Sequence, residues 1–352
     1  MTARQVTLAD VAEHAGVSLA TASRVLNGST RRVSEELRER VAGAARGLGY
    51  LPNASAQALA RDSSVLVGLL VPDIADPYFS GIAAGVTRVA ERAGLVVVLG
   101  TTGRAPDREV ELVTTLRAHR ARALVIAGSR GTDRRAIAHL ARELAAFAGQ
   151  GGRVACVSQA KLGVDAVVPA NRGGARALAR ALAGLGHRSF AVLAGPPGLL
   201  VARDRLAGFR AGLADAGVDL PDAHVVHGGF TRDGGHEAAS RLIAAKSGAT
   251  CVFAVNDVVA TGAVAALREH GVRVPEDVSL AGFDDIPALR DLAPGLSTVR
   301  LPLEEMGERA ARLVLGEVGG APRTVRVAGE VVLRASTSSP GGTGLRRPAS
   351  TP

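Results

Sequence analysis

Apolar residues recur at helical spacing through the first fifty positions and predict three short helices. Gly16 permits the left-handed backbone that a tight turn between the first two helices needs. Ser18 suits the N-cap of the second helix. A third amphipathic helix starts near Ser34 and ends before Pro52, which opposes helix continuation. This pattern predicts a helix-turn-helix domain over residues 1–52.

The second helix, predicted over about residues 18–26, leaves small polar side chains, one arginine and one asparagine on its free face. Hydroxyls and amides bond phosphates, and arginine can pair bidentately with guanine. Such a face suits the major groove of DNA, which makes this the predicted recognition helix. Small helical bundles in general show the same periodicity, so this pattern alone does not establish DNA binding.

A helix capped by Asn53 is predicted over residues 53–62, and it is too short to be stable alone in water.

From Ser63 onward, continuous runs of Val, Leu and Ala alternate with longer helical stretches. Strands of this kind are buried on both faces, as in parallel sheets covered by helices. Two such series predict two doubly wound α/β lobes. Their predicted extents are about 63–160 plus 294–319 for the N-lobe and about 161–293 plus 320–337 for the C-lobe.

Four segments within the first 61 residues carry a family resemblance: VTLADVAEHAGVS, TASRVLNGS, VSEELRERV and LGYLPNASAQALAR. In this order they resemble the DNA-binding headpiece and hinge of the lac repressor (LacI/GalR) family. The resemblance implies an all-α helix-turn-helix headpiece and a periplasmic-binding-protein-like core over about 63–337, whose two lobes are joined by three crossovers. It also implies a hinge helix that folds on operator DNA and wedges Leu59 into the minor groove.

The same resemblance assigns base reading to Leu19 and Ala20, and a base or phosphate contact to Arg24. Leu19 and Ala20 cannot hydrogen-bond bases, so they could only touch thymine methyls or pack sterically. Specificity is therefore expected to depend on Arg24, since a good bidentate pair contributes about 1–3 kcal/mol, and on the step at Leu59. The predicted DNA contacts are Thr7, Ser18, Leu19, Ala20, Thr21, Ser23, Arg24, Asn27, Arg31, Arg32, Asn53, Gln57, Leu59 and Arg61.

Aromatic, arginine, amide and carboxylate side chains follow several of the predicted strands. Ligands of open parallel sheets bind beyond the carboxyl ends of the strands, and such side chains stack on sugar or purine faces and bond hydroxyls. Arg205 and Asp284 also match effector-contacting positions of the family that the chain resembles. The predicted effector contacts are Tyr78, Phe79, Ser158, Arg205, Phe230, Asn256 and Asp284.

Structural roles stay open for residues in these loops. Tyr78 and Phe79 also suit a hydrophobic core, while Asn256 or Asp257 could simply cap a helix. Asp285 is expected to be a solvated loop residue.

Three departures from the family pattern bear on the effector. Leu199, Leu200 and Val201 fill a loop that carries hydroxyl or basic groups in many relatives, and Ser158 stands where an aspartate is usual. Pro169-Ala170-Asn171 replaces a common Val-Asp-Asn. We therefore expect a cavity less polar than a typical sugar site. The missing basic group at Leu199 argues against a purine, which leaves a sugar or sugar derivative as the expected effector.

Composition and charge exclude some classes of protein but do not by themselves indicate a function. The net charge is +9, yet residues 1–62 hold eight arginines and six acidic residues, so charge alone does not indicate DNA binding. The two cysteines lie in apolar runs, which makes a disulfide framework implausible. The N-terminus lacks the apolar run of a signal peptide, and no stretch approaches the ~18 apolar residues of a membrane span. A cytoplasmic protein with no membrane partner is expected.

Catalysis finds little support in the sequence. We find no dinucleotide-binding glycine motif, no P-loop and no nucleophile elbow. His224 and His227 have metal-like spacing only on a helix, and on the predicted strand they face opposite sides. We expect no enzyme activity, no cofactor and no metal.

The sequence predicts a homodimeric transcriptional regulator whose headpieces occupy successive major grooves of a pseudo-palindromic operator. A repressor is favoured over an activator. A small effector between the lobes shifts the hinge helices, which is a coupling free energy between two sites. The Gly/Pro/Ser-rich tail, 338–352, is predicted to be disordered and lacks the leucine heptads of a tetramer. The alternatives are an activator of the same fold, a soluble ligand-binding protein with a vestigial headpiece, and a sugar-modifying enzyme.

Overall fold

The computed structural model describes residues 6–26, 33–50, 64–316, 320–341 and 344–345. The predicted hinge therefore lies outside the described residues. So do seven of the predicted DNA contacts, namely Asn27, Arg31, Arg32, Asn53, Gln57, Leu59 and Arg61.

The headpiece consists of three helices among the described residues: α1 (Leu8–His14), α2 (Leu19–Leu26) and α3 (Glu35–Gly47). The Ser18 hydroxyl accepts the Thr21 backbone N–H at 3.2 Å, which confirms Ser18 as the cap of α2. Ala22 on α2 is fully buried together with Val11 of α1 and Val41 of α3. This small core holds the three helices together.

The N-lobe is a parallel sheet with the strand order β11-β5-β4-β3-β1-β2 among the described residues. The strands β1, β3 and β4 are almost continuously apolar and buried because helices cover both faces of the sheet. The elements are β1 (Leu66–Val71), α4 (Pro77–Arg92), β2 (Val96–Thr101), α5 (Pro106–Ala118), β3 (Ala123–Ala127), α6 (Arg134–Gly149), β4 (Arg153–Val157), β5 (Asp165–Pro169), α11 (Leu303–Leu315) and β11 (Thr324–Val327).

The C-lobe is a second parallel sheet, with the order β7-β6-β8-β9, and two pairs of packed helices cover it. An antiparallel pair, β10 with β12, lies beside its last strand, because Ala281 bridges Ser297 and Asp284 bridges Arg300. The elements are α7 (Asn171–Gly184), β6 (Phe190–Leu193), α8 (Leu200–Asp215), β7 (Val225–Val226), α9 (Arg232–Ala244), β8 (Cys251–Ala254), α10 (Asp257–Glu269), β9 (Ser279–Ala281), β10 (Thr298–Arg300) and β12 (Glu330–Val332).

The fold class predicted from the sequence is confirmed, but the predicted lobe boundaries are wrong for three segments. The prediction put 161–169 and 320–327 in the C-lobe, whereas β5 pairs with β4 and β11 pairs with β5 in the N-lobe sheet. It put 297–300 in the N-lobe, whereas this segment joins the C-lobe. At each crossover the chain adds one more strand to the sheet of one lobe before it passes to the other lobe. Hydrophobic periodicity predicts a strand but does not show which of the two sheets that strand joins.

The predicted disorder from residue 338 onward is wrong for residues 338–341 and 344–345. The buried His187 contacts the carbonyl oxygen of Ser338 through Nε2 at 2.8 Å. Further on, Leu345 is 3% exposed, and its N–H donates to the carbonyl oxygen of Ala249 at 3.0 Å. Backbone hydrogen bonds and one buried leucine attach this segment to the C-lobe despite its Gly/Pro/Ser-rich composition.

None of the helices in the described part of the chain is long and apolar enough to cross a membrane.

Glycines allow close packing of α4 against α11. A Cβ atom at Gly307 would overlap the carbonyl oxygen of Ile82, whereas a Cβ at Gly173 of α7 would meet no heavy atom within 4 Å. We expect Gly307→Ala to destabilise the protein by about 1–3 kcal/mol through overpacking. The matched variant Gly173→Ala should stabilise it by about 0.5–1 kcal/mol, because alanine loses less backbone entropy in a helix. Thermal unfolding of both variants checks this, and shifts of the same sign would contradict the packing described.

Candidate functional site

A cavity of about 440 Å³ lies at the carboxyl ends of the strands, between the two lobes of the core. All seven predicted effector contacts line it: Tyr78, Phe79, Ser158, Arg205, Phe230, Asn256 and Asp284. Nine further residues line it: Asp76, Arg104, Gly128, Ser129, Val157, Gln159, Pro169, Asn171 and Val201. We call this space the main cavity.

Most of the residues missed in the main cavity obey the same strand-end rule as those that were found. Arg104 follows β2, Ser129 follows β3 and Asn171 follows β5. Applying the rule to every strand would have found Arg104 and Ser129, whereas β5 was not itself predicted.

A buried ion pair between Arg205 and Asp284 forms one wall of the main cavity. The two side chains are 2% and 5% exposed, and Arg205 Nη2 lies 2.6 Å from Asp284 Oδ1. The second guanidinium nitrogen donates to Asp284 Oδ2 and to the carbonyl oxygen of Val255, and Nε donates to Asn171 Oδ1. Because almost every donor has an acceptor, the guanidinium is fixed in one orientation.

Two further features hold the Arg205–Asp284 pair in place. The guanidinium carbon of Arg205 lies 3.9 Å from the ring centroid of Phe283, a cation–π contact. Asp284 has a φ of 120°, a backbone conformation that a residue with a side chain rarely adopts. Its N–H donates to the carbonyl oxygen of Val299 at 2.8 Å, which ties the strained residue to β10. Burial raises the pKa of Asp284 to about 7, and the charge of Arg205 opposes that shift.

Aromatic side chains supply the apolar walls. Tyr78 and Phe79 are in edge contact, with ring centroids 5.0 Å apart, and Phe79 is 4% exposed. Phe79 packs in the N-lobe core, as its structural alternative predicted, and it also lines the main cavity, where its contact with an effector stays a prediction. On the other lobe, the half-buried ring of Phe230 lies 5.5 Å from the guanidinium carbon of Arg104.

The two residues expected as possible caps have different roles. Asn256 is the N-cap of α10, since its Oδ1 accepts the Val259 N–H at 2.8 Å, and it also lines the main cavity. The Asp257 carboxylate instead accepts the Ile286 N–H at 2.9 Å and the Thr298 hydroxyl at 2.8 Å. Burial raises the pKa of Asp257 to about 6. Asp257 therefore joins α10 to the crossover segments rather than to a ligand.

Asp285 is not the solvated loop residue that the sequence suggested. It is 3% exposed, and its carboxylate pairs with Arg300 at 2.7 Å, Arg334 at 2.7 Å and Arg290 at 3.5 Å. These arginines lower the pKa of Asp285 below its usual range, although burial acts in the opposite direction. The residue pins the crossover strands to the C-lobe.

The apolar departures at 199–201 affect the main cavity less than expected. Val201 lines it, but Leu199 and Leu200 do not. Their side chains therefore do not set its polarity, and the missing basic group at Leu199 does not exclude a purine from the main cavity.

The charges on the lining of the main cavity cancel. Its two arginines, Arg104 and Arg205, are balanced by its two aspartates, Asp76 and Asp284, when both carboxyl groups are ionised. The rest of the lining is hydroxyl, amide, aromatic and aliphatic. Such a surface suits an uncharged ligand rich in hydrogen-bonding groups, since a net ligand charge would be left uncompensated.

The paired histidines do not approach a common point. His224 contacts the carbonyl oxygen of Phe190 through Nδ1 at 2.9 Å, and His227 contacts that of Gly195 at 2.8 Å. Within the described ranges, no group of three or more His, Cys, Asp or Glu could hold a metal ion.

The candidate nucleic-acid interface is the outer face of α2. Leu19 is 54% exposed, and Ala20 and Arg24 are also exposed, while Thr21 and Ser23 are half-buried. The Ser18 and Thr21 hydroxyls bond each other at 2.8 Å. Thr7 is the N-cap of α1, where its hydroxyl donates to Asp10 at 2.7 Å. These hydroxyls stabilise helix starts, and their contact with DNA stays a prediction.

Comparison with known proteins agrees with this architecture. The profile described as bacterial regulatory proteins, lacI family, matches residues 7–53, and that of a periplasmic binding protein-like domain matches residues 179–337. The HTH-type transcriptional regulator DegA of Bacillus subtilis (strain 168) is 31% identical over 340 residues, 95% of this chain and 98% of DegA.

Two solved structures are similar over most of the chain. The lac repressor dimer bound to operator and the anti-inducer ONPF has a TM-score of 0.80 at 28% identity, covering 95% of this chain and 100% of that one. The complex of the transcriptional regulator CelR with cellobiose has a TM-score of 0.69 at 30% identity, with the same coverage. The relatives are transcriptional regulators, so the prediction that the chain is not an enzyme is confirmed. The chain belongs to the lacI family of bacterial regulatory proteins and is a helix-turn-helix DNA-binding transcriptional regulator.

Proposed function

We propose that the chain represses transcription by binding a pseudo-palindromic operator as a homodimer, and that a neutral sugar or sugar derivative in the main cavity controls this binding. The single observation that carries the proposal is the main cavity itself. It lies between two lobes of one core, and residues from both lobes line it. A ligand that contacts both lobes binds the closed arrangement of the lobes more tightly than the open one. A ligand shifts a conformational equilibrium only through such a difference in affinity.

A polyhydroxyl ligand is favoured by the composition of the lining. Phe230 and Tyr78 offer faces and edges on which a sugar ring can pack, while amide and hydroxyl groups offer both donors and acceptors. The balanced charges favour a neutral compound over a sugar acid or a nucleotide. The CelR complex, which contains cellobiose, shows that a similar structure holds a neutral sugar.

The DNA-binding half of the proposal rests on the exposed face of α2. Arg24 is the exposed cation of this helix, and Leu19 and Ala20 present apolar surface beside it. We propose residues 1–52 as the headpiece and 53–62 as the hinge that inserts Leu59 into the minor groove, with Arg31, Arg32, Asn53, Gln57 and Arg61 on phosphates. A cytoplasmic location follows from this operator function.

The homodimer is proposed to form along β2, which lies at one edge of the N-lobe sheet, opposite β11. Val96, Val98 and Leu99 on this strand are 56%, 40% and 39% exposed. An exposed apolar edge of this kind is a template for association. A second copy covers it in the proposed dimer, so each copy places one headpiece on one half of the operator.

The proposed function is tested by selecting operators from random DNA with the full chain and then adding a panel of neutral sugars. We expect a two-fold symmetric operator and at least one sugar that changes the affinity of the protein for this operator by about 5–150-fold, the range of typical allosteric coupling.

Arg24→Ala should weaken operator binding by about 1–3 kcal/mol. The matched control Arg46→Ala removes an exposed arginine from α3 and should have a small effect. Equal losses for the two variants would contradict the assignment of Arg24.

Arg205→Lys tests the role of the buried guanidinium. Lysine keeps the charge but cannot bond Asn171, Val255 and Asp284 together. We expect sugar affinity to fall by roughly tenfold, because lysine cannot hold Asn171 and Asp284 in the fixed positions that they have in the cavity wall, with operator affinity in the absence of sugar retained. Isothermal titration measures this, and Arg203→Lys on the exposed side of α8 is the control. Unchanged sugar affinity in a folded Arg205→Lys protein would refute the assignment.

Val98→Asp tests the dimer. A charge on the covered edge would be buried without a partner, so we expect mostly monomer and operator affinity lower by at least roughly tenfold. Leu333→Asp places the same charge at another exposed apolar residue and should leave the dimer intact. Light scattering at micromolar concentration distinguishes the species. A Val98→Asp protein that remains dimeric would place the interface elsewhere.

A further inference from the structure

Two backbone segments from different lobes join at the edge of the main cavity. Residues 129–132 follow β3 in the N-lobe, and residues 198–201 lead into α8 in the C-lobe. The Thr132 N–H donates to the carbonyl oxygen of Gly198 at 2.9 Å, and the Leu200 N–H donates to that of Arg130 at 3.0 Å. Gly131 and Leu199 face each other in an antiparallel bridge. We call this pair of segments the clasp.

Ser129 connects the clasp to the lining of the main cavity. Its hydroxyl oxygen accepts the Val201 N–H at 2.9 Å and an amide hydrogen of Gln159 at 3.2 Å. Gln159 Oε1 in turn accepts the Ser158 hydroxyl at 2.8 Å and the Arg130 N–H at 3.1 Å. A ligand hydroxyl that bonds Ser158 or Gln159 therefore acts on the clasp through one intermediate side chain.

The clasp also satisfies the N-terminus of α8. The N-cap residue, Leu199, has no side chain that can accept a hydrogen bond. The first N–H groups of α8 instead find acceptors on the other lobe, at Arg130 and Ser129. Opening the lobes would return these donors to water, so each bond favours closure by about 0.5–1.5 kcal/mol at most.

A second cavity lies on the other side of the clasp. It has an empty volume of about 950 Å³ and is lined by Pro106, Ile137, Leu199 and their neighbours. It shares two lining residues with the main cavity, Arg104 and Ser129. Both shared residues belong to contacts between the lobes, since Ser129 is in the clasp and Arg104 lies over Phe230.

The clasp segment of the N-lobe is itself firmly held. Arg130 is 7% exposed and bonds both carboxylate oxygens of Glu109, at 2.7 and 2.8 Å. Its remaining terminal nitrogen donates to the carbonyl oxygen of Gly128 at 3.1 Å. Nη1 makes both bonds to Glu109, while Nε is buried without a hydrogen-bond partner among the described residues. The N-lobe segment of the clasp is therefore held by a buried ion pair within its own lobe.

We propose that the clasp limits the effector to a single sugar ring, because it closes the main cavity against the second cavity and couples ring hydroxyls to lobe closure. This inference rests on the proposed sugar-responsive function and narrows its ligand class. The two cavities share only Arg104 and Ser129 among their lining residues, so a ligand ring in the main cavity can extend towards the second cavity only past these two side chains. A disaccharide would have to displace Ser129 or Arg104 and break one contact between the lobes.

Leu200→Pro removes one clasp hydrogen bond without touching the main cavity. Leu200 is the first residue of α8, a position that tolerates proline, and Leu199 has φ −106° and ψ 122°, as a residue before proline prefers. Arg134→Pro is the matched control, because Arg134 is the first residue of α6 and is exposed. Ser129→Ala removes the side-chain part of the clasp.

The experiment titrates the full-length wild type and these variants with matched monosaccharides and disaccharides by isothermal calorimetry. We expect the wild type and Arg134→Pro to bind a monosaccharide at least about tenfold more tightly than its disaccharides. Leu200→Pro should bind that monosaccharide about fivefold more weakly, as expected for one lost hydrogen bond. Ser129→Ala, which loses the bonds from Val201 and Gln159, should bind it at least as weakly. In both variants, the ratio of monosaccharide affinity to disaccharide affinity should be smaller than in the wild type.

The outcomes separate this inference from the proposed function. A wild type that binds a disaccharide, as CelR binds cellobiose in its complex, more tightly than any monosaccharide overturns the clasp proposal and leaves sugar-responsive regulation intact. Monosaccharide binding that Leu200→Pro leaves unchanged also overturns it. If no sugar of either size binds, the proposed effector class fails and the clasp proposal falls with it.

Discussion

The core depends on one electrostatic constraint, which is that the buried charges at the strand ends must be paired. Arg205 and Asp284 are almost entirely removed from water and satisfy each other at 2.6 Å. Removing either partner would leave an uncompensated buried charge, which costs several kcal/mol. The pair also connects α8, the start of α7, the end of β8 and the strained residue that follows β9. The polar side chains in this wall of the cavity are rigid because their charges and hydrogen-bonding groups are paired with one another.

Contacts of a second kind join the lobes, and they are weaker. The clasp consists of neutral backbone and hydroxyl hydrogen bonds, and the Arg104–Phe230 contact is partly exposed. The difference in strength suits an allosteric protein. Each lobe needs an interior that does not rearrange, whereas contacts between lobes must be exchangeable for contacts to a ligand at a cost of a few kcal/mol. Strong pairs therefore lie within lobes and weak ones between them.

Much of the fold and of the cavity could be predicted because local signals coincide with the final structure. Apolar runs such as Leu66–Val71 mark buried strands, and the residues just after them reach the cavity because parallel strands end at one edge. Other features depend on partners distant in sequence. Asp285 is buried because Arg300 and Arg334 neutralise it, and β5 carries too few apolar residues to be recognised alone. Composition indicated a disordered tail, yet Leu345 finds an apolar site on the C-lobe.

Reciprocal linkage tests the central claim, that the cavity and the operator-binding headpiece are coupled through lobe closure, most directly. The full-length protein is titrated with operator DNA with and without saturating sugar, and with sugar in the presence and absence of operator. The account predicts that sugar changes operator affinity by the same factor by which operator changes sugar affinity, since coupling free energies are reciprocal. A sugar that binds with one affinity whether or not the operator is bound would contradict it.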